Sequence, residues 1–120
     1  FNGDYYAGHY VGGEMEGPGV YSFAEKANNT GGGLRYEGEW ANDKYEGLGI
    51  YMWRDSTRYA GELSNGAWSG YGVYTFDDDR KYEGQWVNNM YEGYGVLWNG
   101  DGTVSQAGRW SQNSLVAPMQ

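Results

Sequence analysis

Three stretches of this chain begin with the same five-residue figure at a fixed interval. Tyr36-Glu-Gly-Glu-Trp40, Tyr59-Ala-Gly-Glu-Leu63 and Tyr82-Glu-Gly-Gln-Trp86 start 23 residues apart. Each is followed at the same offset by a G-x-G (Gly47/Gly49, Gly70/Gly72, Gly93/Gly95) and then by Tyr51, Tyr74 or Leu97. A degenerate copy runs from Tyr6 through Gly8, Tyr10, Gly17, Gly19, Tyr21 and Phe23, and a truncated one is Gln106-Ala-Gly-Arg-Trp110. Self-similarity at a period of about 20 to 50 residues marks a repeat architecture, in which no unit buries its apolar face alone.

The hairpin follows from the turn residues. Asn42-Asp43 sits midway between two alternating runs, with counterparts Asn65-Gly66, Asn88-Asn89 and Gly12-Gly13. These residues tolerate positive φ at both centres of a type I′ turn. Counting outward from that turn pairs Ala41 with Lys44, Trp40 with Tyr45, Gly38 with Gly47 and Tyr36 with Gly49. One face then carries Tyr36, Gly38, Trp40, Tyr45, Gly47, Gly49, Tyr51 and Trp53, because side chains alternate across a strand. A ring opposite a glycine can lie flat across the partner strand, which accounts for glycines that otherwise weaken a strand. The other face mixes acids (Glu37, Glu39, Glu62, Glu83) with apolar residues (Leu48, Ile50, Tyr71, Val73, Tyr94, Val96) and is expected in water, with Glu39 facing Glu46. An isolated hairpin would not stand, so the units must stack.

The predicted fold is all-β: an elongated single-layer solenoid of antiparallel hairpins, Tyr6–Phe23, Tyr36–Trp53, Tyr59–Phe76 and Tyr82–Trp98. The units are about 6–35, 36–58, 59–81 and 82–105, with a partial fifth at 106–113 and a C-terminal tail at 111–120. The chain is read as one domain. The stretch between Phe23 and Tyr36, with Asn28-Asn29-Thr30 and three glycines, reads as a surface loop. Its glycosylation triplet is taken as a chance occurrence. The fifth unit has a first strand but no evident second one, and the chain opens at Phe1 on an echo of Trp98-Asn-Gly-Asp101. Both ends therefore look like excerpts of something longer. The open last strand is expected to be covered by the tail, by a second copy or by another subunit.

The figure Y-x-G-x-W, then N-(G/D/N), then G-x-G-x-Y on this period resembles the MORN repeat (membrane occupation and recognition nexus). The resemblance covers most of the chain. It implies a twisted hairpin solenoid with an aromatic-lined groove, in proteins that act as scaffolds and adaptors, bind peptides or helices, and often pair end to end. Some members are modules appended to lipid kinases or methyltransferases. The family often carries G-K-x-H-G before the second strand. This chain has Lys44-Tyr45-Glu46, Ala67-Trp68-Ser69 and Met90-Tyr91-Glu92 instead, so the basic positions credited with lipid attraction are largely gone.

Charge narrows the function further. A net charge of −8 lacks the basic footprint that nucleic acid needs and repels anionic headgroups. With no cysteine there is no disulfide framework, thiolate metal site or cysteine nucleophile. The single histidine, His9, occupies the outward position of Glu39, Glu62 and Gln85 and reads as a solvated residue, not a general base. The G-x-G pairs lie within strands, so they cradle no phosphate. The acids fall at repeat positions or turns, without the irregular unit a hydrolytic cleft would need. Asp77-Asp78-Asp79 lacks the spacing of a calcium loop and reads as an inter-repeat turn. No catalytic, cofactor or metal residue is expected.

The sequence therefore predicts a non-catalytic scaffold that binds a partner protein, through a basic or apolar segment of it, as one subunit of a homodimer or a larger assembly. The candidate contact residues are Tyr36, Trp40, Tyr51, Tyr59, Trp68, Tyr74, Tyr82, Trp86 and Trp110. Consumption of the rings by packing within the stack stands beside this reading for Tyr36, Tyr59 and Tyr82, and less so for Trp40, Trp68 and Trp86 near the turns. A phospholipid-targeting module and a carbohydrate-binding aromatic repeat are the alternatives. The compartment is left open, soluble or peripheral, since no apolar run reaches membrane-spanning length.

Overall fold

Alternation of apolar and polar residues between turn signals dictates strands, and strands are what form. The computed structural model describes residues 4–24 and 33–118. They form ten strands: β1 Tyr5–Val11, β2 Glu14–Ser22, β3 Gly33–Ala41, β4 Lys44–Trp53, β5 Arg58–Ser64, β6 Ala67–Thr75, β7 Lys81–Val87, β8 Met90–Trp98, β9 Val104–Ser111 and β10 Ser114–Pro118. All pair antiparallel with their neighbours in sequence, giving one sheet in the order β1 to β10. The described residues include no helix. The long axis measures 50 Å, as expected for five hairpins advancing about 10 Å each. The connection 24–35 falls mostly outside the described residues, as does its glycosylation triplet; β3 begins at Gly33, before the first repeat tyrosine.

The hairpin turns sit where the Asn and Gly pairs place them. Asn42 and Asp43 have φ of 52° and 66°, Asn88 and Asn89 have 49° and 70°, the left-handed pair of a type I′ turn. The register beyond the turn corrects the sequence expectation. Ala41 pairs with Lys44 and Trp40 with Tyr45, but Gly38 then pairs with Gly49 and Tyr36 with Tyr51. Three residues, Glu46 to Leu48, stand opposite Glu39 alone. Gly47 takes φ 75° at this bulge, and the side-chain Oε1 of Glu39 accepts the Leu48 N–H (3.2 Å). The same device recurs where Glu62 accepts from Tyr71 N (2.6 Å) and Gln85 from Tyr94 N (2.8 Å). Two extra residues leave the alternation intact, so the faces are as expected although the pairs are not.

Register correction brings the glycines into one line. Gly8, Gly19, Gly38, Gly49, Gly61, Gly72, Gly84, Gly95 and Gly108 are cross-strand partners in succession through nine strands. Beside it runs a second line, Tyr6, Tyr21, Tyr36, Tyr51, Tyr59, Tyr74, Tyr82 and Leu97. The chain thus builds a core without a second layer: rings from one line lie down over the other.

The fifth unit is also corrected. Its last strand does not lack a mate: Ser114 pairs with Ser111 and Leu115 with Trp110, closing a hairpin over Gln112 and Asn113 (φ 49° and 70°). Of the three covers considered for this strand, the fold-back of the segment first read as a tail is the one present, and β10 becomes the edge of the described sheet.

Candidate functional site

The ring-bearing face starts from three tyrosines. Tyr36, Tyr59 and Tyr82 are fully buried, each lying across a glycine pair with its hydroxyl donating to the backbone carbonyl three residues on: Glu39 (2.9 Å), Glu62 (2.7 Å) and Gln85 (3.2 Å). A ring from the second strand stacks on each, Tyr45 on Tyr36 (4.2 Å), Trp68 on Tyr59 (4.5 Å) and Tyr91 on Tyr82 (3.8 Å). The next hairpin closes the cage edge-on. Trp86 stands against Tyr59 at 5.3 Å and Trp110 against Tyr82 at 5.4 Å, a geometry suited to the positive edge and negative face of aromatic rings. The indole N–H of Trp86 donates to Gly72 O (3.1 Å) and that of Trp110 to Gly95 O (3.0 Å). Burial pushes the phenols up, Tyr36, Tyr82 and Tyr91 to about 12 and Tyr45 and Tyr59 further in the same direction.

Of the nine candidate contact residues, six lie in this core: Tyr36, Tyr59, Tyr82, Trp40, Trp86 and Trp110. Trp40 and Trp86, expected to stand free near the turns, are instead 5 % and 2 % exposed. Burial by neighbours two strands away is what the sequence alone did not show. Tyr51, Trp68 and Tyr74 remain half-buried and open onto the surface. Two grooves open on the ring-bearing face, and Trp68 and Tyr74 line the second. One, about 310 Å³, is lined by Met15, Tyr21, Phe23, Trp40 and Tyr45, with Asp43 and Lys44 at its rim. The other, about 400 Å³, is lined by Trp68, Tyr74, Trp86 and Tyr91 with Asn89 and Asn113. Tyr45 and Tyr91 were not singled out as contact residues. Their signal was available, since each occupies the position of Trp68, just after a turn.

The turns are welded to one another. Asp43 accepts the Met15 N–H (2.6 Å), Asn89 that of Trp68 (2.7 Å) and Asn113 that of Tyr91 (2.8 Å). In the other direction Glu16 accepts the Asn42 N–H (2.8 Å) and Glu92 that of Gln112 (3.1 Å). Glu46 turns the same way, toward Asn65 N (3.3 Å), so it does not oppose Glu39 as a bare like-charge pair. At the opposite rim, Asp78 binds Arg80 (2.8 Å) and holds an inter-hairpin turn, as Asp55 and Asp101 do through Thr57 and Thr103. These bonds hold the Asp55, Asp78 and Asp101 carboxyls below the usual range. His9 is exposed on β1.

A family model, MORN repeat, matches residues 6–26, 36–58, 59–79 and 82–104. The chain belongs to the MORN repeat family. MORN repeats are a non-catalytic family of interaction modules that engage proteins and membranes. A search of curated proteins finds no match. Among the described residues no helix is long and apolar enough to cross a membrane.

The second face of this MORN sheet is unevenly charged. On the hairpin-turn side lie Glu14, Glu16, Glu39, Asp43, Glu46, Glu62 and Glu92 against Lys44 and Arg109. On the other side Arg35, Arg58 and Lys81 recur with the repeat, in line through Arg35–Met52–Arg58–Thr75–Lys81. Arg35 pairs with Glu37 at 2.7 Å. On this face the acids therefore outnumber the bases along the turn side, while Glu37 and Glu83 stand among the bases of the other side.

Proposed function

We propose that this chain is a non-catalytic scaffold that holds a partner protein along its ring-lined face. The observation that carries the reading is the half-buried pair Trp68 and Tyr74: Trp68 is stacked on buried Tyr59, Tyr74 leans against Trp68, and both line an open groove. Rigid aromatic platforms of this kind offer apolar area at little loss of side-chain freedom. The perturbed acids of the grooves are the phenols of Tyr21, Tyr45 and Tyr91, all pushed up and so neutral at pH 7, which favours holding over chemistry. The partner segment they suit is apolar, with basic residues toward the acidic turn rim.

The repeat supplies its own tolerated replacements. Leu97 fills the position of Tyr74, and Met15 and Leu115 fill that of Trp68. In the native assembly, Trp68→Leu with Tyr74→Leu should reduce partner capture at least about ten-fold while largely sparing the melting temperature. A clear loss of stability with unchanged capture would assign these rings to packing alone.

A further inference from the structure

The face turned away from the rings carries a second pattern, and its period is specific. Cross-strand pairing puts Glu39, Leu48, Glu62, Tyr71, Gln85 and Tyr94 in one row along the stack axis. Leu48, Tyr71 and Tyr94 are 62 %, 52 % and 63 % exposed, an unusual state for three large apolar groups in line. Glu62 and Gln85 stand between them, Glu39 precedes Leu48 and Arg109 follows Tyr94, and behind them runs the acidic turn rim. A cleft of about 450 Å³ opens along the row, lined by Glu62, Tyr71, Gln85, Val87 and Glu92.

We infer that this row is a docking surface for a basic amphipathic α-helix of a partner protein, lying along the stack with lysine or arginine at one core position of each heptad and leucine at the other. Strands are about 4.8 Å apart, so polar and apolar positions alternate at that step and each kind recurs at about 10 Å. A helix presents residues i, i+3 or i+4, and i+7 in a line at about 5 and 10.5 Å, matching both intervals. An extended strand turns every second side chain away, and its like-facing residues recur at about 6.6 Å. A polyproline helix offers like-facing residues only every 9 Å or so, leaving nothing at the half-step. Charge selects the sign. The bulge-capping Glu62 spends Oε1 on Tyr71 N and keeps a second oxygen for a cation, while lysine stems can lie along the tyrosine rings. A second copy of this chain would bring its own acidic row against this one. The surface is on the opposite side of the sheet from the ring grooves, so the inference stands apart from the function proposed above.

The test uses a synthetic peptide of three heptads, Lys at one core position and Leu at the other on an alanine and glutamine background, titrated against the whole chain. Its control has the same composition in an order that breaks the seven-residue period. The patterned peptide should bind at least about ten-fold tighter than the control, and Tyr71→Thr with Tyr94→Thr should remove that advantage. Glu39→Gln with Glu62→Gln should weaken binding several-fold and flatten its salt dependence; Gln85 already caps its bulge as an amide, so the fold is kept. Nuclear Overhauser contacts from the peptide should reach the side chains of Leu48, Tyr71 and Tyr94 and not that of Trp68. The inference is overturned by equal affinity for the two peptides, or by loss of binding on Trp68→Leu with Tyr74→Leu instead. Light scattering that shows a dimer dissolved by the two Thr substitutions would give the row to a second copy and also overturn it.

Discussion

A methyl group placed on Gly61 would meet the Cα of Gly72 and, at 2.5 Å, the carbonyl oxygen of Tyr71. Both are backbone atoms in the middle of the sheet, with no rotamer to change. Gly61→Val should therefore cost about 3 kcal/mol, seen as a fall in melting temperature of roughly 10 °C. At Gly8 the nearest atoms belong to the Tyr6 phenol, a half-buried ring that can swing aside, and the Gly19 Cα at 2.8 Å is met from β1, an edge strand with a neighbour on one side only. Gly8→Val should cost clearly less, and equal melting shifts for the two variants would refute this account of the glycine line. The buried phenols give a second outcome. Their folded pKa values lie above the ordinary 10, so the neutral ring is favoured by folding. That stability is complete below pH 10 and is lost as pH rises through about 12. Alkaline unfolding should coincide with the last phase of phenolate absorbance; ionisation of all 13 tyrosines near pH 10 with the sheet intact would count against it. That glycines face glycines was legible in the sequence, because both recur with the repeat. Which glycine faces which was not, since a two-residue bulge leaves no trace in the alternation.

The bulge belongs to the strand pair. Three of its four copies are capped by Glu39, Glu62 and Gln85, the fourth residue of each figure; the β1–β2 copy stands opposite His9 and has Pro18, with no N–H, at the donor position. Glu62→Gln should be nearly neutral, as the amide at Gln85 does the same work. Glu62→Ala should cost about 1 kcal/mol by leaving the Tyr71 N–H to water, measured by chemical denaturation of both variants side by side. A larger loss for the Gln variant would mean that charge, not the accepted hydrogen bond, matters at this position. The last hairpin makes the second element-scale case. Leu115 packs against the core next to Trp110, and Asn113 fastens its turn to Tyr91. Removing residues 111 to 120 should lower the melting temperature by roughly 5–10 °C; an unchanged value would show that β10 adds nothing. This hairpin was hard to see because Gln112 is an unusual residue for a left-handed turn position and no G-x-G follows. Asn113, at the place of Asp43 and Asn89, was the remaining clue.

At the scale of the molecule, each strand is tied to its neighbours in sequence, so stability is a property of how many hairpins flank a given one. Amide exchange should be slowest in β5 to β7, which carry Tyr59, Leu63, Tyr82 and Trp86, and fastest in β1, where Tyr5, Tyr10 and Val11 are exposed. Uniform protection from β1 to β10 would indicate one cooperative block. The ring-lined face was legible in the sequence as a face. The division of its rings into core and groove was not, because Trp86 is covered from β5 and Trp110 from β7, contacts that no single unit contains.

The same connectivity has a mechanical consequence. A load applied to the two ends of the chain runs along the stack, across the strands, so the hydrogen bonds of a terminal strand are opened one after another instead of sheared together. The sheet should yield at low force by peeling from an end, one hairpin per event, each releasing the length of one repeat, roughly 70 Å after subtracting its folded rise. Because each turn is fastened to the hairpin before it, peeled units have a ready template on which to wind back. Anchored between two partners, such a chain would behave as an extensible tether of nearly constant tension, giving way in even steps and recovering them when the load falls.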